Sequence, residues 1–308
     1  MPRALGYRAF GGPEVQEFVD RPDPVPAARE VAVAVRAAGV NPIDHLLRAG
    51  VLPALNGAVP FPQVLGMEAA GVVTAVGADV RGLDVGDRVV GFALTGAGTY
   101  AHSTVLLGSA TARTPDGLSD TWAATIPVAG TTALDVLDQL DLPAGARLLV
   151  NGVGGGVGLA TAQLARARGL EVVGTGSTAK RAVATATGAT FIDYTRGPVD
   201  ELLREVAPEG VDGIVDTVGG AALRVVAPLA VEPSRVVAVG DPGVVEIGGA
   251  MVERHTDRAT LERVADLMVQ GVLDPQITAV RSLEHADEAL ADVENGHAVG
   301  KTVIDLAL

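Results

Sequence analysis

A group of closely spaced glycines near the middle of the chain has the arrangement that a phosphate-binding loop needs. An apolar run, 148–150, leads through Asn151 into Gly152, Gly155 and Gly158, and an amphipathic stretch follows. A strict GxGxxG motif is absent, because Val153 stands where its first glycine would fall. The GxxGxxG spacing still supplies a tight turn, close approach of the backbone to a pyrophosphate, and a small residue where helix meets strand. The pattern predicts a dinucleotide-binding loop.

The residues about 20 positions after the glycines indicate which dinucleotide is bound, because they face the 2′ position of the adenosine ribose. Segment 172–181 contains no Asp or Glu that could accept a hydrogen bond from a ribose hydroxyl. Instead, Ser177, Lys180 and Arg181 offer a hydroxyl and two cations, which suit a 2′-phosphate. We therefore predict NADPH rather than NADH, with Arg181 the weaker candidate. The alternative is that Ser177 caps the next helix and that both cations lie on a solvated face.

The elements around the loop alternate between strands and helices. From about Ser119 onwards, long helical patterns are interleaved with buried strand-like runs, which is typical of βα units and a parallel sheet. The candidate strands are 147–151, 171–175, 190–193, 213–216 and 235–239, with one more after Asp241. The candidate helices are 158–168, 178–187, 199–206, 221–229 and 259–270. This order predicts a doubly wound nucleotide-binding domain.

The first part of the chain has a different rhythm. Short apolar runs separated by turn residues predict strands of a partly closed antiparallel barrel, at 31–36, 69–76, 88–92 and 101–107. A helix near 284–294 and a strand near 301–305 follow the nucleotide-binding region. We expect this last segment to return to the barrel. The predicted domains are therefore 1–118 with 272–308, and 119–271.

Composition and charge exclude several classes of protein. The chain has 308 residues and no cysteine, which excludes disulfides, thiolate metal sites and cysteine nucleophiles. Its 37 Asp and Glu residues against 23 Lys and Arg residues give a formal charge of −14, which disfavours nucleic acid and anionic membranes as partners. The sequence contains no secretory signal and no apolar run long enough to span a membrane. A cytoplasmic location and a small-molecule partner are the expectations.

With these features described, the chain resembles the zinc-independent quinone oxidoreductase branch, close to the zeta-crystallin type, of the medium-chain dehydrogenase/reductase superfamily. The resemblance covers essentially the whole chain. Apart from the glycine loop, it rests on GVNPID (39–44), RAG (48–50), GMEAAGVV (66–73), VGDRV (85–89), AGTTA (129–133), DTVGG (216–220) and GKTV (300–303).

The resemblance implies a GroES-like catalytic domain made from both chain ends and a Rossmann NADPH-binding domain, with the substrate in the cleft between them. Members commonly form homodimers. In zinc-dependent relatives, a cysteine and the histidine of a Gly-His-Glu segment bind the catalytic metal. Here Met67 occupies the histidine position and cysteine is absent. No metal site is therefore expected.

The resemblance also assigns site residues. Asn41 and Asp44 would line the floor of the cleft, and Thr131 and Gly240 would lie beside the nicotinamide. The pyrophosphate would lie against Gly152, Gly155, Gly156, Val157 and Gly158. The ribose phosphate would be surrounded by Ser177, Lys180 and Tyr194.

One departure concerns a tyrosine that relatives often carry just after the Arg-x-Gly segment. This chain has VLP (51–53) there, so Tyr100 is the remaining phenol that could serve as a catalytic donor, although it reads equally well as strand packing. The loops 50–62 and 241–257, which would line the cleft, are rich in small apolar residues and offer few anchors for a charged substrate.

These expectations together predict hydride transfer from NADPH to a quinone or a similar electron-poor acceptor. The alternative is an NADPH-dependent reductase of enoyl or alkenal double bonds. A non-catalytic NADPH-binding sensor or structural protein is a third possibility, because the sequence alone does not demonstrate turnover.

Overall fold

The computed structural model describes residues 3–52, 59–296 and 298–308. The chain divides into two compact units. The first comprises Met1–Val128, Thr256–Val269 and Ile277–Leu308, and the second comprises Ala129–His255 and Gln270–Gln276. Residues 119–128 and 256–269, which the sequence analysis assigns to the nucleotide-binding domain, thus group with the first unit. The predicted domain boundaries stay a prediction.

The first unit contains two sheets. Its strands are β1 (Arg3–Tyr7), β2 (Gln16–Asp20), β3 (Glu30–Val40), β4 (Gln63–Val64), β5 (Glu68–Val76), β6 (Arg88–Ala93), β7 (Ser103–Arg113), β14 (Ile277–Arg281) and β15 (Lys301–Asp305). A small sheet has the order β2-β1-β4. The larger sheet has the order β14-β15-β3-β5-β6-β7, and β3 also pairs with β7, so that part of this sheet closes on itself. The predicted partly closed barrel is confirmed.

Helices of the first unit cover or connect these strands. They are α1 (Pro42–Arg48), α2 (Asp120–Ala123), α8 (Arg258–Val269) and α9 (Ala286–Glu294). Pro42 is the first residue of α1, a position where its missing N–H costs nothing. After α1, Gly50 adopts a φ of 74°, and a Cβ at this position would lie 2.8 Å from the ring of Phe10. Glycine is therefore required in that turn.

Arg258 attaches the start of α8 to the barrel. Its guanidinium group donates to the backbone carbonyls of Thr111 (2.9 Å), Arg81 (3.1 Å) and Gly108 (3.3 Å). These bonds hold α8 against β7 and against the connection between β5 and β6.

The second unit is a parallel sheet between helices. Its strands are β8 (Arg147–Asn151), β9 (Glu171–Gly176), β10 (Thr190–Asp193), β11 (Gly213–Asp216), β12 (Val236–Ala238) and β13 (Ala250–Met251), in the order β10-β9-β8-β11-β12-β13. All neighbouring pairs are parallel. The helices are α3 (Thr131–Leu140), α4 (Gly156–Ala167), α5 (Arg181–Ala186), α6 (Val199–Val206) and α7 (Gly220–Val226). The predicted doubly wound α/β fold is confirmed.

The core of the second unit is formed where its helices pack on the sheet. Leu149 on β8, Val173 on β9, Ile214 on β11 and Leu223 on α7 belong to one buried cluster. These strands are continuous apolar runs because helices cover both faces of a parallel sheet. Within the described ranges, no helix is long and apolar enough to cross a membrane.

Candidate functional site

The glycine loop lies between β8 and α4, as predicted. Gly155 is the extended N-cap of α4, and no side chain caps it, so the helix begins with backbone N–H groups directed at the loop. Gly152 has a φ of 90°. A Cβ on Gly158 would lie 2.3 Å from the carbonyl oxygen of Gly152, so only glycine lets α4 start this close to the strand. This backbone has the geometry expected of a phosphate-binding loop, and pyrophosphate binding here stays a prediction.

Lys180 lies across the same loop. A Cβ on Gly154 would come within 2.5 Å of the Lys180 side chain. Burial lowers the pKa of the Lys180 ammonium group. Gly154 was not assigned a role from the sequence, because its position falls outside the GxxGxxG spacing. The structure shows that this glycine makes room for the lysine predicted to bind phosphate.

The ends of β9 and β10 bring the other predicted phosphate ligands together. Gly176 pairs with Asp193, so Ser177 and Tyr194 follow adjacent strand ends. Thr178 Oγ1 connects them further by donating to Asp193 Oδ2 at 2.6 Å. Ser177 makes no capping hydrogen bond through its side chain, in contrast to the capping alternative, and Tyr194 is 53% exposed.

Arg181 occupies a different environment from Lys180. Its guanidinium carbon lies 4.7 Å from the ring centroid of Phe191, and Nη2 lies 3.7 Å from Asp193 Oδ2. Hydrogen bonds from the hydroxyls of Thr178 and Thr195 are the main causes that lower the pKa of Asp193. Arg181 thus has an anionic partner within the protein, which agrees with its place as the weaker phosphate ligand.

A buried polar network beneath the glycine loop was not predicted from the sequence. Asn151 Nδ2 donates to Asp216 Oδ1 at 2.7 Å, and Asn151 Oδ1 accepts from Thr175 Oγ1 at 2.6 Å. Thr175 Oγ1 also accepts from the Gly152 N–H at 3.1 Å. Burial raises the pKa of Asp216. The only sequence signal was polar residues at the ends of three apolar strands, β8, β9 and β11.

Thr131, predicted to lie beside the nicotinamide, is the buried first residue of α3. Its hydroxyl oxygen accepts from Arg254 Nη2 at 2.6 Å, and Arg254 Nε lies 3.1 Å from Asp135 Oδ2. His255 donates its backbone N–H to the same carboxylate oxygen at 2.9 Å. The loop 241–257 was expected to offer few anchors for a charged substrate. It nevertheless places the guanidinium group of Arg254 against the Thr131 hydroxyl. Gly240, which follows β12, is exposed, and a Cβ there would meet no atom within 4 Å.

In the first unit, Asn41 lies at the start of α1 in a buried polar cluster. Its Nδ2 donates to Glu68 Oε1 at 2.7 Å, and its Oδ1 accepts from Lys301 Nζ at 2.8 Å. Lys301 Nζ is also 2.8 Å from Glu68 Oε1, and the Val128 N–H donates to Glu68 Oε2 at 2.7 Å. Neither Glu68 nor Lys301 was identified as a site residue from the sequence.

Asp44 and Tyr100 form a second part of the same cluster. Asp44 Oδ2 accepts from the Asn41 N–H at 2.9 Å and from the Tyr100 hydroxyl at 2.8 Å. Asp44 Oδ1 is buried and has no hydrogen-bond partner among the residues described. Burial raises the pKa of Asp44 to about 7 and that of Tyr100 well above its ordinary value. The structure brings together all three predicted catalytic residues.

The loop after α1 is described only in part. Residues 53–58, which include six of the 13 positions of the predicted lining loop 50–62 and the last position of the VLP segment, lie outside the described residues. Val51 is 58% exposed. The rings of Phe10 and Phe61 pack edge to face with centroids 5.1 Å apart. In the described part of the chain, no three His, Asp or Glu side chains are grouped as a metal site would require.

Comparisons with known proteins agree with this architecture. The model of the alcohol dehydrogenase GroES-like domain matches residues 27–129, and the zinc-binding dehydrogenase model matches residues 187–304. The quinone oxidoreductase of Sus scrofa is 31% identical over 322 residues, which cover 98% of this chain and 97% of that protein. The quinone oxidoreductase of Pseudomonas aeruginosa is 37% identical over 209 residues, 67% of this chain and 63% of its own length.

Solved structures show the same fold. The quinone oxidoreductase of Coxiella burnetii superposes with a TM-score of 0.90 at 29% identity, covering 99% of both chains. A mycobacterial protein solved with NADPH gives a TM-score of 0.86 at 27% identity, covering 99% of this chain and 100% of that one.

The barrel unit and the doubly wound unit, with the residues that each one groups, define a medium-chain dehydrogenase/reductase. Within that superfamily, the chain belongs to the quinone oxidoreductase branch.

Proposed function

We propose that this protein is an NADPH-dependent reductase that transfers hydride to a small quinone or a similar electron-poor acceptor without zinc. The observation that carries the proposal is the packing of Lys180 across Gly154 beside Ser177, whose side chain makes no capping bond. A cation and a hydroxyl at this position suit the 2′-phosphate of NADPH. The quinone is proposed from the relatives that are matched over 97% of their own length, since those of Sus scrofa and Homo sapiens are named quinone oxidoreductases.

The described residues fit such a cofactor. The pyrophosphate would be held by backbone N–H groups at the start of α4, at Gly155, Gly156, Val157 and Gly158, with Gly152 in the turn. Ser177, Lys180 and Tyr194 would hold the ribose phosphate, and Thr131 and Gly240 would lie beside the nicotinamide. When bound, NADPH supplies a hydride, which is two electrons and one proton, and the acceptor takes one further proton to become the hydroquinone.

The Tyr100 hydroxyl bears on the choice of acceptor. This group donates its hydrogen bond to Asp44, and the side chain is fully buried. Reduction of an enoyl or alkenal bond requires a proton at carbon, for which a positioned donor is valuable. A hydroquinone oxygen takes its proton from water. The engaged phenol therefore favours the quinone over the enoyl alternative.

The decisive experiment is the rate of NADPH oxidation by purified protein with a para-quinone, an ortho-quinone, a 2-alkenal and an enoyl thioester, with NADH in parallel. We expect turnover of a quinone and a clear preference for NADPH. Turnover of the alkenal or thioester alone would establish the alternative function. Tight NADPH binding without reduction of any acceptor would identify a sensor or structural protein.

Cofactor preference is tested separately with Lys180→Met. Loss of a charge-assisted contact to phosphate should raise the KM for NADPH by about 10- to 100-fold and leave the KM for NADH nearly unchanged. Arg181→Met is the matched control, because this neighbouring cation contacts Phe191 and Asp193 and should have a much smaller effect. Equal losses with both cofactors would contradict the assignment of Lys180.

A homodimer, a cytoplasmic location and the absence of nucleic-acid binding remain predictions. Static light scattering measures the first. Retention of labelled RNA at low salt tests the last, for which the charge of −14 predicts no binding.

A further inference from the structure

Glu68 and Lys301 form a buried ion pair beside Asn41. Both side chains are almost fully buried, at 0% and 3% exposure, and Lys301 Nζ lies 2.8 Å from Glu68 Oε1. They come from separate strands, β5 and β15. A buried pair of this kind is costly to desolvate and therefore contributes little net stability. Its presence suggests a role other than stabilising the fold.

The pair determines the orientation of the Asn41 carboxamide. Of the two polar atoms of this carboxamide, Glu68 accepts from Nδ2 and Lys301 donates to Oδ1. Rotating the amide by 180° would place Nδ2 against the ammonium and Oδ1 against the carboxylate, so both contacts would become repulsive. One rotamer is therefore strongly selected at the start of α1.

The pair also acts on Asp44. The Lys301 charge lowers the pKa of Asp44, whereas the Glu68 charge raises it. The other titratable groups near Asp44 in the described residues are Tyr100, which donates to it, and Tyr7, whose pKa is raised by the Asp44 charge and lowered by the Arg48 charge. Asp44 Oδ1, the oxygen with no partner there, is the place where a proton can be held.

We propose that Glu68 and Lys301 are positioning residues of the reduction, which hold the Asn41 carboxamide in one orientation and set the electrostatic field at Asp44. The proposal deepens and rests on the proposed function, in which Asn41 and Asp44 belong to the acceptor site.

The test uses four variants of the full-length protein: Lys301→Met, Lys301→Arg, Glu68→Gln and the double variant Glu68→Gln/Lys301→Met. For each, kcat and KM are measured against pH with the preferred quinone, and the Kd for NADPH is measured by fluorescence. We expect Lys301→Met to lower kcat by up to about 100-fold with little change in the Kd for NADPH. The double variant has no unpaired buried charge, so it keeps the test valid if a single variant does not fold.

The pH profile separates positioning from simple structural support. Lys301→Met should shift the apparent pKa of the profile upward, and Glu68→Gln should shift it downward, each by roughly one unit or less. Lys301→Arg retains the charge, so it should keep the wild-type profile. Arg88→Met is the control, because it breaks a barrel ion pair with Asp120 (2.6 Å) and should lower thermal stability without moving the profile.

A second readout does not depend on activity. In each variant, the Asp44 carboxyl group can be titrated by carbon NMR. The chemical shift of the Asn41 side-chain amide can be measured by nitrogen NMR. Opposite shifts of the Asp44 titration in Lys301→Met and Glu68→Gln, with a displaced Asn41 amide signal, would show that the pair orients the amide and sets the field at Asp44. If wild type reduces no acceptor, the proposed function fails, and with it the role of the pair in a reduction, whereas these two effects of the pair stand. An unchanged titration, or a loss of thermal stability alone in all variants, would show an ion pair with no role beyond folding.

Discussion

The carboxyl group of Asp44 lies where its charge is costly. It is fully buried, and two hydrogen bonds to Oδ2 only partly offset the loss of water. Burial therefore raises its pKa from 3.8 to about 7. The group exchanges its proton near neutral pH, which makes its protonation state sensitive to small changes in the surrounding charges.

This shift predicts how stability depends on pH. Because the folded pKa is raised, the stability that Asp44 contributes is fully present below its unfolded pKa near 3.8, and it is lost as the pH rises through about 7. Asp44→Asn stays neutral throughout. The free energy of unfolding of wild type, relative to this variant, should fall by a few kcal/mol between pH 4 and 8 and remain constant above that range.

Urea unfolding at several pH values measures this difference. Asp116→Asn, which removes an exposed carboxylate, is the control and should follow wild type. Parallel curves for wild type and Asp44→Asn would contradict the prediction.

Single residues also show where sequence reasoning ends. Asn41 and Asp44 were identified from the GVNPID motif and Tyr100 as the remaining phenol, and the structure places them together. Glu68 and Lys301 stood inside the quoted motifs GMEAAGVV and GKTV without a role, because nothing local in the sequence indicates that β5 and β15 approach the same amide. Gly154 was missed for a similar reason, since its function depends on a side chain 26 positions later.

At the level of elements, prediction succeeded where the pattern is repeated. Strands β8, β10, β11 and β15 were predicted with their observed bounds, because apolar runs between turn residues mark buried strands well. Helix α6 was predicted with its bounds as well. The small sheet of β1, β2 and β4 was not predicted, since these strands are short and β2 is only partly buried. Helix α1 was not predicted from the sequence.

Hydrogen bonds of the Asn151 side chain connect the ends of three strands of the second unit. This side chain joins β8 to Asp216 on β11 and to Thr175 on β9. Asn151→Ala would leave Asp216 and Thr175 without these bonds in a buried site, at a cost of about 1–3 kcal/mol. The loop that Thr175 holds through the Gly152 N–H would lose its support.

We therefore expect Asn151→Ala to weaken NADPH binding by about 10-fold or more and to lower the melting temperature. Fluorescence titration with NADPH measures the first effect. Asn295→Ala, at the exposed end of α9, is the matched control. Unchanged NADPH affinity in a destabilised Asn151→Ala protein would show that the network supports the fold alone.

At the scale of the whole molecule, the first unit is assembled from both ends of the chain. Strand β15 pairs antiparallel with β3, joining Thr302 to Val40 and Asp305 to Ala37. Lys301, the first residue of β15, also supplies the ammonium group beside Asn41. The last strand therefore contributes to both the barrel and the site.

Deletion of 301–308 should unfold the first unit, because it removes a central strand and leaves Glu68 buried without its cation. Deletion of only 307–308 removes residues after β15 and should be tolerated. Circular dichroism and thermal melting distinguish the two. A deletion of 301–308 that keeps the wild-type melting transition would show that β15 is dispensable.

The pairing of β15 with β3 has a consequence for synthesis. While the ribosome is still translating the second unit, the 37–40 edge of β3 has no partner, and an open strand edge invites association with other chains. The second unit is nearly continuous in sequence and can fold first. The barrel must wait until residues 301–305 have been synthesised, so nascent chains carry an exposed edge until then, and chaperones that cover strand edges would protect them.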